Sequence, residues 1–159
     1  MTKLMLSIHV LAAIVAVGSI TVAASMFPRY ALLAAGPEDP DGRAAGIAGL
    51  LHRVCRGYAV AGLAVPVFGL ATGALLGVLT DAWLIVSLVL TFVAAALLVL
   101  VVLPGQERLL AVAETDAEGA AAEPRPLASR LAMFTGVFNL LWAIVVVLMI
   151  VRPGSTTGA

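Results

Sequence analysis

Four long apolar runs separated by polar stretches form the pattern of this chain. The runs cover residues 4–26, 57–79, 82–103 and 127–151. A helix needs about 20 apolar residues to cross roughly 30 Å of hydrocarbon, and each run reaches that length. The pattern therefore predicts four transmembrane helices, with loops at about residues 27–56 and 104–126.

Turn and kink signals refine this outline. The sequence PEDPDG at residues 37–42 is typical of a turn before a helix, and Asp41 is its predicted N-cap. The following helix is expected to run from Arg43 into the second span and to bend at Pro66, which removes one backbone hydrogen bond. The link at residues 80–81 is so short that spans two and three are expected to be antiparallel neighbours.

Two segments leave two interpretations open. The first run is either a span or a cleavable signal peptide, since Lys3 precedes it and small residues close it. Its apolar part exceeds the usual signal core of about 7–15 residues, which favours a span. The middle of the polar stretch after residue 104 is either a surface helix or disordered.

Composition indicates lipid surroundings. The 159 residues are 62% hydrophobic and 11% charged, and the mean hydropathy is +1.13. Soluble domains carry about 25% charged residues. So much apolar surface cannot be buried within a chain of this length. We therefore predict an all-α polytopic membrane protein, in which residues 1–159 form one membrane domain, a four-transmembrane-helix up-down bundle.

The distribution of basic residues predicts the orientation of the bundle, because cytoplasmic loops are enriched in Lys and Arg. Six of the nine basic residues lie in the two long loops and Arg130 lies just beyond the second loop, whereas only Lys3 and Arg152 lie on the other side. Both termini are therefore predicted outside, with the loops in the cytoplasm. The composition suits a bacterial inner membrane. Zero net charge and no basic run beyond Arg53 and Arg56 argue against nucleic acid as a partner.

Glycines recur every fourth residue in the second span, at Gly69, Gly73 and Gly77. This spacing places them on one face of a helix, where they leave room for close approach of another backbone. The sequence therefore predicts a helix-packing face, which could also serve a homo-oligomer or a membrane-protein partner.

His9 is the strongest candidate for chemistry. It lies about 7 Å inside the outer edge of the hydrocarbon, where an ionisable side chain is costly without a partner. It begins a stripe of small residues that continues through Ala16 and Ala23. Asp81 is its predicted partner at the same level. His9 is interpreted either as a haem or metal ligand or a step in a proton path, or as a neutral histidine bonded to a neighbouring helix.

His52 and Cys55 stand three residues apart on one helix face, a spacing that suits two ligands of a soft metal. Two ligands do not complete a site. Because Arg53 and Arg56 lie beside them, the favoured interpretation is a cytoplasmic interface that contacts lipid headgroups. His9 and His52 are expected on the order of 20 Å apart, which excludes one shared haem within the chain.

Asn139 lies near the centre of the fourth span, with Thr135 and Trp142 on the same face. A buried amide in lipid seeks a partner, and such bonds contribute about 0.6–2 kcal/mol. We therefore predict an interhelical hydrogen bond from Asn139 rather than a substrate contact.

Three functions follow from these residues: a partner or scaffold subunit, a haem-binding or copper-related redox protein that uses His9, and a small-solute transporter. The sequence contains no nucleophile–base set, phosphate-binding loop or CxxC motif, and no paired carboxylates within the spans. Autonomous catalysis is thus not expected, and an enzyme would need a bound cofactor. The missing carboxylates also rank the transporter last.

The first span resembles the opening helix of copper-resistance D (CopD)-like membrane proteins. Its sequence IHVLAAIVAVGS has an early histidine followed by small residues and a glycine, here His9 and Gly18. The ending VVLMIVRPG is similar to the last span of an uncharacterised family of predicted integral membrane proteins. HemJ-type protoporphyrinogen oxidases, which bind haem, are more distant members of this kind of fold. The resemblance implies a four-span fold and a ligand at His9. The chain lacks clustered methionines and a second matching histidine, so the uncharacterised family fits best.

Overall fold

The computed structural model describes residues 1–37, 39, 41–115 and 124–154, and its elements are all helices in that part of the chain. They are α1 (Thr2–Ala34), α2 (Arg43–Ala61), α3 (Ala64–Leu76), α4 (Ala82–Leu97), α5 (Leu103–Thr115) and α6 (Pro124–Val151), with a π-helical turn at Leu98–Val102. Four segments are long and apolar enough to cross a membrane: Thr2–Ala34, Arg43–Leu76, Ala82–Ala113 and Pro124–Val151. The predicted all-α bundle of four membrane helices is confirmed.

The helices continue beyond the predicted spans into both long loops. Helix α1 runs through Pro28 to Ala34, and α5 extends the third segment to Thr115. Up to Thr115, the polar stretch is therefore helical. The question of helix or disorder for residues 116–123 lies outside the described residues, as do residues 155–159.

Two prolines account for the irregularities in the spans. Pro66 has no N–H to donate to the oxygen of Gly62, which instead accepts the N–H of Val65 at 3.0 Å. The helix accordingly breaks between α2 and α3, close to the predicted bend. The π-helical turn ends two residues before Pro104, where the hydrogen-bond ladder loses another donor.

Asp39, and not Asp41, caps α2. Its Oδ1 accepts the N–H of Ala44 and its Oδ2 accepts the N–H of Ala45, each at 3.0 Å. Gly42, with φ +66°, turns the chain so that Asp39 reaches the free amides of the first turn. The prediction of Asp41 is wrong because the geometry of this turn decides which carboxylate lies over the helix end.

We expect Asp39→Ala to loosen the first turn of α2, with faster amide exchange at Ala44 and Ala45. The hydrogen bond from Ala44 N–H, aided by that from Ala45 N–H, lowers the pKa of Asp39 below its ordinary value of 3.8. The stabilisation is therefore present above pH 3.8 and is lost as the pH falls through the lower folded value. Asp41→Ala is the control, and equal loss of amide protection in both variants would contradict the assignment of the cap.

Helix α1 is central in the bundle. It packs along α2 and α3 on one side and along α6 on the other, while α4 packs mainly on α6. Its stripe of small residues faces these neighbours, as predicted, with His9, Ala16 and Ala23 buried. Helices α3 and α4, although joined by a short link, contact each other little, whereas α2 and α5 pack together at the other end. The second and third segments therefore diverge toward the link.

Candidate functional site

His9 is held between α1 and α3. Its side chain is buried, and Nδ1 donates a hydrogen bond to the main-chain oxygen of Val65 at 2.8 Å. Because a carbonyl oxygen can only accept, Nδ1 carries a proton, and in the neutral form of the ring Nε2 carries the lone pair. Nε2 has no hydrogen-bond partner in the described part of the chain. The hydrogen bond of Nδ1 thus orients the imidazole, and Nε2 is available to a ligand.

Gly69 provides the space that the imidazole occupies on α3. A Cβ atom at this position would lie 2.9 Å from Cε1 and 3.1 Å from Nδ1 of His9. A contact that short would force either the ring or the helix to move. The role of Gly69 is therefore close packing, as the glycine spacing suggested, but its neighbour is a histidine ring.

The other two glycines of the series have separate roles. A Cβ at Gly73 would meet Leu84 Cδ2 at 3.0 Å and Leu79 Cδ2 at 3.2 Å. Gly77 ends α3 in the left-handed conformation at φ +70°, with open space around its missing side chain. The predicted packing role is wrong for Gly77 because the helix stops there. Side chains of the same chain already fill the predicted groove at Gly69 and Gly73.

A cavity of about 270 Å³ adjoins His9 and is lined by all four membrane segments. We call it the His9 cavity. Its lining is apolar except for His9, Thr91 and Trp142, and the hydroxyl of Thr91 already donates to Ser87 O at 2.8 Å. The lining residues Ile14 and Val146 are exposed at the surface of the protein, so the cavity opens to the surface beside these two apolar side chains.

A polar face of α6 runs from the middle of the bundle to this cavity. Asn139 Nδ2 donates to Ser25 Oγ on α1 at 3.3 Å, an interhelical hydrogen bond. Asn139 Oδ1, Thr135 Oγ1 and Trp142 Nε1 are buried without a partner in the described residues. A buried polar atom left unpaired costs about 1–3 kcal/mol. Three on one face therefore indicate a polar partner from outside the chain, such as water or a ligand.

The predicted pair of His9 and Asp81 is not formed. Asp81 Oδ2 instead accepts the Nε1–H of Trp83 at 3.0 Å. The guanidinium of Arg152 lies over the ring of Trp83, 5.5 Å from its centre. Asp81 is thus part of a contact between the start of α4 and the end of α6, and the partner of His9 is a main-chain oxygen that sequence alone does not reveal.

His52 belongs to a buried polar cluster between α2 and α5, which we call the His52 cluster. Its Nδ1 donates to Gln106 Oε1 at 3.0 Å, and Gln106 Nε2 donates to Cys55 Sγ at 3.6 Å. Glu107 Oε1 lies 3.6 Å from His52 Nε2. The predicted lipid-interface role of His52 is wrong, because its side chain is only 8% exposed and turns into the bundle.

The arginines beside His52 do face outward, since both Arg53 and Arg56 are exposed. No group of three His, Cys, Asp or Glu side chains suited to a metal occurs among the described residues, so His52 and Cys55 lack further ligands. Sequence reasoning missed Gln106. The similar distances of His52 and Gln106 from the link at 80–81 place them near one level of two antiparallel helices, but they do not show which helix faces meet.

Comparison with known proteins identifies one family. No curated protein and no solved structure matches the chain significantly, so the resemblance to CopD-like and HemJ-type proteins is not confirmed. A family model does match residues 3–153, which include all four membrane segments, the His9 cavity and the His52 cluster. The chain therefore belongs to the family described as "Predicted integral membrane protein (DUF2269)".

Proposed function

We propose that this protein is a membrane-embedded binding protein without a catalytic activity of its own, which holds a small, largely apolar molecule in the His9 cavity. The observation that carries the proposal is His9 Nε2, a hydrogen-bond acceptor without a partner in the described residues, beside an otherwise apolar cavity. Ionisable side chains within membrane helices are costly, and they commonly mark functional sites.

The cavity defines the class of ligand. Its volume of about 270 Å³ lies just below the roughly 300–1,000 Å³ of typical ligand pockets. It would take a ring or a headgroup, while an apolar tail passes out beside Ile14 and Val146. A hydroxyl or N–H on the ligand would donate to His9 Nε2. Trp142 lines the same cavity and has an N–H without a partner in the described chain, so it would suit an acceptor on the ligand.

Haem or copper is the second candidate, and one observation favours it. A metal-ligating histidine usually donates its other N–H to a carbonyl or carboxylate, as His9 donates to Val65 O. Met149 lines the same cavity and could add a thioether. The described residues contain no group of three His, Cys, Asp or Glu side chains that could hold a metal ion. They therefore supply one axial ligand for a haem but not a complete copper centre, and a cavity of about 270 Å³ would enclose only part of a porphyrin.

The scaffold and transporter interpretations stay predictions. A scaffold subunit would co-purify with a membrane-protein partner or a second copy, and His9→Ala would leave that assembly unchanged. A transporter would need a water-filled path past Pro66 and Asn139. In a bacterial inner membrane with both termini outside, the orientation that the arginines predict, the His9 cavity would lie in the outer half of the bilayer.

We expect His9→Ala to bind the molecule more weakly and to co-purify with less of it. The wild-type protein is purified in mild detergent, its small molecules are extracted and identified by mass spectrometry, and absorption spectra are recorded before and after reduction by dithionite. Loss of one buried hydrogen bond of about 1.4 kcal/mol would lower the affinity roughly tenfold. A Soret band that disappears in His9→Ala would favour haem over an organic ligand.

Thr91→Val is the matched control. It changes a side chain of the same cavity whose hydroxyl proton is already donated to Ser87 O. It should therefore retain the bound molecule. A folded wild-type protein that carries neither a small molecule nor a chromophore, or equal retention in wild type and His9→Ala, would overturn the proposal.

A further inference from the structure

A second cavity, of about 600 Å³, lies at the opposite end of α1 from His9. We call it the arginine pocket. Arg29, Leu32 and Leu33 of α1 line one side, followed by residues 35–37, and Pro124 and Arg125 at the start of α6 line the other. The pocket therefore joins two cationic side chains to an apolar wall.

Neither guanidinium has a partner in the described part of the chain, where the one ion pair joins His52 and Glu107. Asp39 follows the pocket residue Pro37 closely in sequence, but both oxygens of its carboxylate accept the amides of Ala44 and Ala45. Within the described residues, the guanidinium groups of Arg29 and Arg125 are therefore unpaired. Glu38 and Glu123, which adjoin the pocket residues Pro37 and Pro124 in sequence, lie outside the described residues.

The helix ends at the pocket do not decide its preference. The carbonyl end of α1 favours cations and the amide end of α6 favours anions, so the two effects oppose each other. Among the described residues that line the pocket, the two arginines carry the charge, and that charge is positive. Guanidinium groups bind phosphate and carboxylate oxygens in a bidentate manner, and an approach by two of them suits the several oxygens of a phosphate.

The position of the pocket indicates where that phosphate would come from. Arg29 follows directly after the first apolar run, which ends near Met26, so it lies where a membrane span meets the headgroup region. Basic pockets between helices at this level bind anionic headgroups. The side chains of Leu32 and Leu33 offer a surface for the first part of an acyl chain.

We propose that the arginine pocket binds a phosphate group through Arg29 and Arg125, with an anionic phospholipid headgroup as the favoured source and free phosphate as the other. This site uses none of the residues of the His9 cavity. The proposal of a phosphate site can therefore be tested independently of the proposed function. A bound lipid would join the end of α1 to the start of α6.

The test uses the full chain in mild detergent, with lipid binding followed by native mass spectrometry. The probes are phosphatidylglycerol, phosphatidylcholine and inorganic phosphate. We expect phosphatidylglycerol to bind at least about tenfold more tightly than phosphatidylcholine, and the Arg29→Gln/Arg125→Gln double variant to lose this preference. If excess inorganic phosphate does not displace the lipid, the lipid is the ligand. Tight phosphate binding that requires both arginines would indicate free phosphate instead.

The matched control is Arg53→Gln/Arg56→Gln, which removes two exposed arginines outside the pocket. It has the same net charge as the test variant and should keep the preference for phosphatidylglycerol. Arg125→Lys, which keeps the charge but not the planar fork, should retain part of it. Equal losses in the two double variants would show general electrostatic attraction, and no preference in the wild type would show no site. Either result would overturn the proposal.

Discussion

Gly69→Ala is expected to displace the His9 ring and to destabilise the protein by about 1–3 kcal/mol, the usual cost of an extra methyl group in a packed interior. The added Cβ would lie 2.9 Å from Cε1 of His9. The ring cannot simply swing away, because its Nδ1 is bonded to Val65 O at 2.8 Å. Thermal unfolding in detergent measures the loss of stability, and the amount of co-purifying molecule shows how far the site is lost.

Gly136→Ala is the matched control for this variant. Gly136 is also within a membrane helix, but a Cβ there would meet nothing within 4 Å. Alanine favours a helix over glycine by about 0.5–1 kcal/mol, so this variant should be neutral or slightly stabilised. The His9→Ala/Gly69→Ala double variant should recover the stability lost to the clash. A Gly69→Ala variant that is as stable as the wild type and keeps the bound molecule would contradict the role assigned to Gly69.

Gln106→Ala is expected to cost about 2–4 kcal/mol, since it leaves a buried donor unpaired and opens a void. Gln106 is completely buried, and it connects the Nδ1–H of His52 with the thiol of Cys55. Its removal therefore affects both α2 and α5 at the end of the bundle away from His9. Unfolding in detergent, followed by circular dichroism, measures the change in stability.

Glu107→Ala tests whether burial, rather than charge, is decisive in the His52 cluster. The side chain of Glu107 is 60% exposed and its carboxylate lies 3.6 Å from His52 Nε2. Because the Glu107 carboxylate is exposed and the pair is charged only when His52 is protonated, we expect it to contribute about 0–1 kcal/mol and the variant to be close to wild type. If Glu107→Ala were as unstable as Gln106→Ala, the ion pair and not the amide would hold α2 to α5.

The two histidines belong to separate sites. His9 is hydrogen-bonded to Val65 at the start of α3. His52 lies in α2, which forms the other half of the same membrane segment. A helix rises 1.5 Å per residue, so the backbone between residues 52 and 65 spans roughly 20 Å. This agrees with the separation predicted from the spans, and it means that one chain does not place both imidazoles on a single haem.

Much of the fold follows from sequence alone, because it depends on local properties of the chain. The length and hydropathy of each apolar run determine that there are four membrane helices. The missing N–H of Pro66 determines that the second segment breaks where it does. The stripe of small residues from His9 to Ala23 determines which face of α1 packs inward.

The partner of each polar group was decided only by the tertiary structure. Hydropathy indicates that His9 needs a partner, but the choice of Val65 O over Asp81 depends on how closely α3 approaches α1 across Gly69. The pairing of Gln106 with His52 likewise depends on α2 and α5 meeting while α3 and α4 diverge. In lipid no general hydrophobic force selects among helix arrangements, so backbone approach and hydrogen-bond geometry select them. Neither property can be read from the order of apolar and polar residues.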